Sequence, residues 1–129
     1  MGKYLASTQL IFAKFGDISW TDLGIATGPS DTPLPEGVLE YVRVTVIHGS
    51  TSVNHKSISG IVNVEIFTEN GLGPTRALEI ADALDTLLSK RTSGTNQTLA
   101  SNLTPMGVDK ANPALQRHLY SIPFNFFGV

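Results

Sequence analysis

The stretch Glu40-Tyr41-Val42-Arg43-Val44-Thr45-Val46-Ile47 sets valine against other side chains at every second position. An extended chain sends successive side chains to opposite faces, so Val42, Val44 and Val46 share one face while Tyr41, Arg43, Thr45 and Ile47 share the other. A second stretch, Gly60-Ile61-Val62-Asn63-Val64-Glu65-Ile66-Phe67-Thr68, repeats the pattern with Val62, Val64 and Ile66. The connection from His48 to Ser59 is polar throughout. Two such strands predict an antiparallel hairpin carrying a long loop.

Working outward, Asn70-Gly71-Leu72-Gly73-Pro74 turns the chain, and Pro74 with Thr75 suits the first positions of a helix, where a missing backbone donor does no harm. Ala77, Ile80, Ala81, Leu84, Leu87 and Leu88 then recur at steps of three and four, with Arg76, Glu79, Asp82 and Asp85 on the opposite side. Lys90-Arg91 follows where the helix dipole favours cations. The spacing predicts a helix with one stripe laid on a sheet.

The last run, Leu115 to Phe127, alternates again. His118, Tyr120, Ile122, Phe124 and Phe126 fall on one face, and Pro123 on the other argues for an edge strand or a bulge, because proline donates no ladder hydrogen bond. Before this run, Ser93 to Asn96 reads as a turn, Gln97 to Leu103 as a modest strand, and Thr104 to Pro113 as irregular chain.

At the other end, the apolar residues from Lys3 to Phe15 fit a helix, although Ser7, Thr8 and Leu10-Ile11-Phe12 would also suit a strand. Gly16-Asp17 supplies a stop. Ile18 and Trp20 alternate with polar neighbours and suggest a short extended piece. Gly24 to Gly37, with Pro29, Pro33 and Pro35, reads as a loop. The element order is therefore helix, two strands, helix, two strands. It predicts one α+β domain over residues 1–129, a mixed or antiparallel sheet of about four strands under two helices.

Composition narrows the classes of function. A chain of 129 residues has room for one core. Its charged share of 16% is low against about 25% in ordinary globular proteins, as in a surface partly covered by partners. The net charge is -2 and the basic residues are scattered, so nothing marks a nucleic-acid footprint. There is no cysteine, hence no disulfide or thiolate metal site. No apolar run approaches the roughly 18 residues of a membrane span, and the chain is expected to be soluble, with no membrane partner.

Chemistry-bearing patterns are sparse. Gly71-Leu72-Gly73-Pro74-Thr75-Arg76 precedes a helix but lacks the Gly-Lys-Ser/Thr ending of a phosphate loop, and turn chemistry explains both glycines. His48, His55 and His118 form no zinc-type spacing. No Gly-x-Ser-x-Gly elbow is present. Glu79, Asp82 and Asp85 make an acidic row that could meet a basic partner or repel DNA from a channel wall, although a solvated helix face explains it as well. Tyr120, Phe124, Phe126 and Phe127 suit a core that continues into a neighbour.

Several segments in order resemble the tail terminator proteins of long-tailed bacteriophages, from about Ile18 to the end. They are Ile18-Ser19-Trp20 before a proline-containing loop, Tyr41-Val42-Arg43-Val44, Gly60 to Phe67, and Gly71-Leu72-Gly73. A helix carrying Ala77, Ile80-Ala81-Asp82 and Leu84 follows, and Leu119-Tyr120-Ser121-Ile122-Pro123-Phe124-Asn125-Phe126 closes the series. The N-terminal helix, usually long and regular in that family, is here short and irregular. The resemblance implies a virion structural protein without catalytic residues or cofactor. Such a protein forms a hexameric ring of its own copies on the head-proximal end of the tail, stops growth of the tube made by the major tail tube protein, and offers a surface to the head connector or stopper. It would be assembled in the host cytoplasm, and DNA would pass through the ring without sequence-specific contact. Another head-tail joining or tail-completion protein is the alternative, followed by a small ligand-binding domain or enzyme using the Gly71–Arg76 turn. Thr51, Ser52, Asn54, His55 and Lys56 in the polar loop, and Glu79, Asp82 and Asp85 on the helix, are the candidate contacts. The loop from Gly24 to Gly37 is expected to order on assembly as well.

Overall fold

The computed structural model describes residues 2–29, 40–49, 57–71, 73–88, 92–93, 96–109 and 113–127. Helices α1 (Lys3–Lys14) and α2 (Ile18–Thr21) precede strands β1 (Thr27–Pro29), β2 (Tyr41–His48) and β3 (Ile58–Glu69). Helix α3 (Thr75–Leu88) follows, then β4 (Thr92–Ser93), β5 (Asn96–Thr98), β6 (Asn102–Val108) and β7 (Leu115–Phe126). The strands form one sheet in the order β1-β2-β3-β7-β5-β4, with β6 paired to the same edge of β7 as β5. β1 runs parallel to β2 and the other pairings are antiparallel, so the sheet is mixed. The α+β class stands. About four strands and two helices become seven and three among the described residues, and the order α-β-β-α-β-β is replaced accordingly.

The predicted hairpin is present, and its register sets the core. Val42, Ile66 and His118 stand side by side on β2, β3 and β7, as do Val44, Val64 and Tyr120, and then Val46, Val62 and Ile122. These rows make the inner face. Onto it α3 turns Ala77, Ile80, Ala81, Leu84 and Leu88, and α1 turns Ile11 with Ser7. Each fully buried Val, Leu or Ile removed from water stabilises the fold by roughly 1.5–3 kcal/mol. Gly60 is required at the end of the inner face. A Cβ there would stand 2.2 Å from the Ile47 carbonyl oxygen and 2.9 Å from the Phe124 ring, so its absence lets Phe124 and His48 approach edge to face across β3.

Four local readings change. Ile18 to Thr21 is a helical turn, because the Asp17 side chain caps it by accepting from the Ser19 N–H at 2.9 Å. Trp20 is buried there and donates to Thr27 Oγ1 at 3.0 Å. Within the proline-rich stretch, Thr27–Pro29 pairs in parallel with Val42 to Val44. The single strand from Gln97 to Leu103 is two strands, β5 and β6, and Asn96 belongs to a short pairing with Ser93. The irregular stretch from Thr104 is mostly strand β6, with a bulge between Pro105 and Gly107 that Gly107 permits at φ 79°.

Pro123 does not mark an edge. β7 is central, paired to β3 along its whole length. On the other side it pairs with β6 through Ser121 and with β5 from Phe124. The N–H and C=O positions of one residue in an extended strand face the same neighbour, and the Pro123 carbonyl accepts from the Leu99 N–H at 2.9 Å. The missing donor therefore faces the gap between β5 and β6, and the ladder to β3 loses nothing.

Candidate assembly surfaces

The outward side of α3 carries Leu78, Glu79, Asp82 and Asp85, since its other stripe is in the core. Glu79 meets Arg76 at 3.5 Å one turn away, and Arg76 also holds Glu40 ahead of β2 through Nε and, at 3.1 Å, Nη2. The hydrogen bond to Glu40 holds the Arg76 guanidinium even more firmly protonated than usual. Asp82 is exposed, and its carboxylate makes no hydrogen bond or ion pair among the described residues.

Asp85 is different. It accepts from the Tyr120 hydroxyl at 2.7 Å and from Ser101 Oγ. Burial and the bond to Asp85 push the Tyr120 hydroxyl well above its ordinary range, so it remains a donor. The acidic row is thus divided: Asp85 fastens the helix to β7, and Glu79 and Asp82 face outward.

The opposite surface is the outer face of the sheet. At one end Tyr41, Phe67 and Leu115 form a small buried cluster. Beside it Arg43 donates to Glu65 Oε1 at 3.0 and 3.1 Å and lies over the Phe67 ring at 5.2 Å, while Arg117 donates to Glu65 Oε2 at 3.2 Å. Two guanidinium groups share one carboxylate, and Glu69, opposite Leu115 on the same face, brings the charges of the three strands there to two of each sign. A hollow of about 210 Å³ opens next to them, lined by Thr45, Asn63, Glu65, Met106, Arg117 and Leu119. Ile47 and Ile61 on the same face, with Met106 on the wall of the hollow, add exposed apolar surface. The outer positions on β2, β3 and β7 were visible from strand alternation, whereas Met106 fell in a stretch read as irregular, and the pairing of Arg43, Glu65 and Arg117 required the register of three strands.

Residues Thr51, Ser52, Asn54, His55 and Lys56 lie outside the described residues, as do residues 30–39 of the proline-rich stretch. The described ends of the polar loop are strand: His48 closes β2, and Ile58 and Ser59 open β3. His48 Nε2 lies 3.1 Å from Ser7 Oγ and 3.3 Å from Thr8 Oγ1, and its ring meets Tyr4 edge to face at 5.1 Å. Burial holds its pKa below the ordinary value, with a hydrogen bond to the Tyr4 backbone opposing. His118, read from the sequence as a sheet-face residue, stands on the inner face with Nδ1 unpartnered among the described residues, and burial lowers its pKa as well. No group of three His, Asp or Glu residues among the described residues could hold a metal ion. No helix among them is long and apolar enough to cross a membrane.

The fold and these surfaces define an α+β protein with a mixed sheet covered by helices on one face. No protein-family model matches the chain, and no curated protein matches it. A solved structure that carries no functional name is similar to it at a TM-score of 0.68 and 20% identity, over 95% of this chain and 97% of that one. At that identity the likeness establishes a shared fold and nothing about activity.

Proposed function

We propose that this chain is a structural virion protein of the tail terminator kind, without catalytic activity. Copies of it form a ring, a hexamer by the family resemblance, on the head-proximal end of a phage tail. The ring ends polymerisation of the tube and presents a docking surface to the head connector, while DNA passes through without sequence-specific contact. The observation that carries this reading is the one-sided cover of the sheet among the described residues: helices pack on the inner face, while the outer face exposes Ile47, Ile61 and Met106 beside a charged hollow. Exposed apolar surface of that kind fits contact with other protein. The stretches that carry the resemblance also build the middle of the molecule, β2, β3, α3 and β7.

Tail length tests the proposal. Infection with the coding sequence disrupted is expected to yield overlong tails in negative-stain images, restored to normal length by the wild-type chain. Tails of normal length accompanied by separate heads would instead indicate a head-joining protein.

A further inference from the structure

Among the described residues, β1, β4 and β6 each leave one side of the sheet unpaired. β1 is three residues long and ends on Pro29, and β4 is two residues long, whereas β6 runs for seven. All of β6 but Leu103 is exposed. Its sequence, Asn102-Leu103-Thr104-Pro105-Met106-Gly107-Val108, holds no charged side chain. An exposed strand with a free row of N–H and C=O groups is a template for the addition of another strand, and charged side chains are one usual guard against it. β6 has no such charge.

Its backbone is protected in another way. The Asp109 N–H donates to the Leu115 carbonyl and the Leu99 N–H to the Pro123 carbonyl, so the odd-numbered residues of β7 turn their backbone groups toward β5 and β6. Across from them on β6 stand Asn102, Thr104 and Gly107, opposite Ser121, Leu119 and Arg117. Leu103, Pro105 and Val108, opposite Tyr120, His118 and Gln116, turn their backbone groups to the open side. Pro105 therefore stands where an N–H would be offered to an incoming strand, and a ring carbon takes the place of that hydrogen. The ladder to β7 loses nothing. Beside Pro105 the extra residue of the bulge, Met106, breaks the spacing of the row.

We infer that Pro105 and the Met106–Gly107 bulge guard the open edge of β6 against strand addition by β6 of a second copy of this chain. An identical strand is the addition the edge fits best, because two copies related by a two-fold axis lay the same row antiparallel against itself. With Pro105 in both rows, such a pair lacks one hydrogen bond from each copy and sets a ring carbon against a carbonyl. Copies crowded together are thus kept to contacts other than this edge. The guard is a property of the folded chain and does not depend on the function proposed above.

Sedimentation of the full chain over a range of concentrations, wild type beside variants, tests the guard, with thermal melting to check folding. Pro105→Thr returns a donor to the edge. It is expected to associate at concentrations about tenfold or more below those the wild type needs, since a two-fold pair regains a hydrogen bond from each copy. Deleting Met106 removes the extra residue and should act in the same direction. Thr104→Lys places a charge on the same exposed strand; it should return Pro105→Thr to the wild-type association and leave the wild type itself unchanged. If Pro105→Thr does not fold, Pro105→Ala restores the same donor with a smaller side chain, and if the deletion does not fold, the Pro105 variants decide alone. Folded Pro105 variants that associate no more than the wild type would overturn the guard. Association of Pro105→Thr that persists undiminished with Thr104→Lys would do so too, because the contact would lie elsewhere. A wild type whose own association is weakened by Thr104→Lys would show the edge to be a contact between copies and not a guarded strand.

Discussion

Helices α1 and α3 cover the same face of the sheet, yet α3 turns five side chains into the core, Ala77, Ile80, Ala81, Leu84 and Leu88, where α1 turns in Ser7 and Ile11. Polar ties widen the difference. Asp85 of α3 accepts from Tyr120 on the central strand, and the carbonyl of Leu88 accepts from Thr98 Oγ1 on β5. α1 is tied to the sheet through His48, whose ring meets Ser7, Thr8 and Tyr4. The polar ties of α3 are therefore indifferent to pH near neutrality, whereas those of α1 run through a group that can gain a proton there.

The largest effect expected is on α3. Leu84→Ala removes a side chain with no exposed surface and should destabilise the fold by about 2–5 kcal/mol in chemical denaturation, with loss of the whole molecule at once. A second, smaller break is Tyr120→Phe, expected to cost about 1–2 kcal/mol, since a hydrogen bond to a carboxylate is lost while Ser101 still donates to Asp85. The raised pKa of Tyr120 gives the sign at high pH. Its contribution is complete below its ordinary value of 10.0 and is lost as pH rises beyond it, so Tyr120→Phe should flatten the alkaline decline.

On the α1 side the expected effect is local. The folded pKa of His48 is lowered, so below its ordinary value of 6.5 the unfolded state binds the proton better. The His48 contribution is complete above that value and falls away as pH drops toward the lowered one. Amide protection in α1, corrected for the intrinsic exchange rate at each pH, should fall as pH drops from about 7 to about 5, and His48→Gln should remove the part of that loss confined to α1. His118, also lowered by burial, adds a loss over the same window that reaches the whole core, and His48→Gln leaves it in place. If α1 and α3 lose protection together in the wild type and in His48→Gln alike, the contrast between the two helices fails. The smallest effect belongs to Arg76→Ala. Its pairs with Glu40 and Glu79 are exposed, and such pairs contribute below about 1 kcal/mol, so thermal melting should barely move.

The contrast between the helices was partly legible in the chain. α3 announces itself because its apolar residues recur every three or four positions, a pattern that depends on the helix alone. α1 is ambiguous because Ser7, Thr8 and Leu10-Ile11-Phe12 suit either a strand or a helix, and the partner that buries Ser7, His48 on β2, is forty-one positions away. Of the candidate contacts, Glu79 and Asp82 stand outward as their helical positions predict, while the engagement of Asp85 with Tyr120 depends on how α3 crosses β7.

Alternation and helical spacing by themselves determined the α+β class, the apolar face of each of β2, β3 and β7, and the stripe of α3, because side-chain direction along a strand or helix is set within a few residues. The tertiary structure alone decided the rest. Pro105 and Gly107 read locally as loop but mark a bulge once β7 supplies a ladder, and Pro123 reads as an edge residue but faces a gap between two strands. Arg43, Glu65 and Arg117 become one charged group only in register. Bulges, registers and ion pairs are properties of two or three strands together, and a local pattern holds no information about which distant segment will complete it.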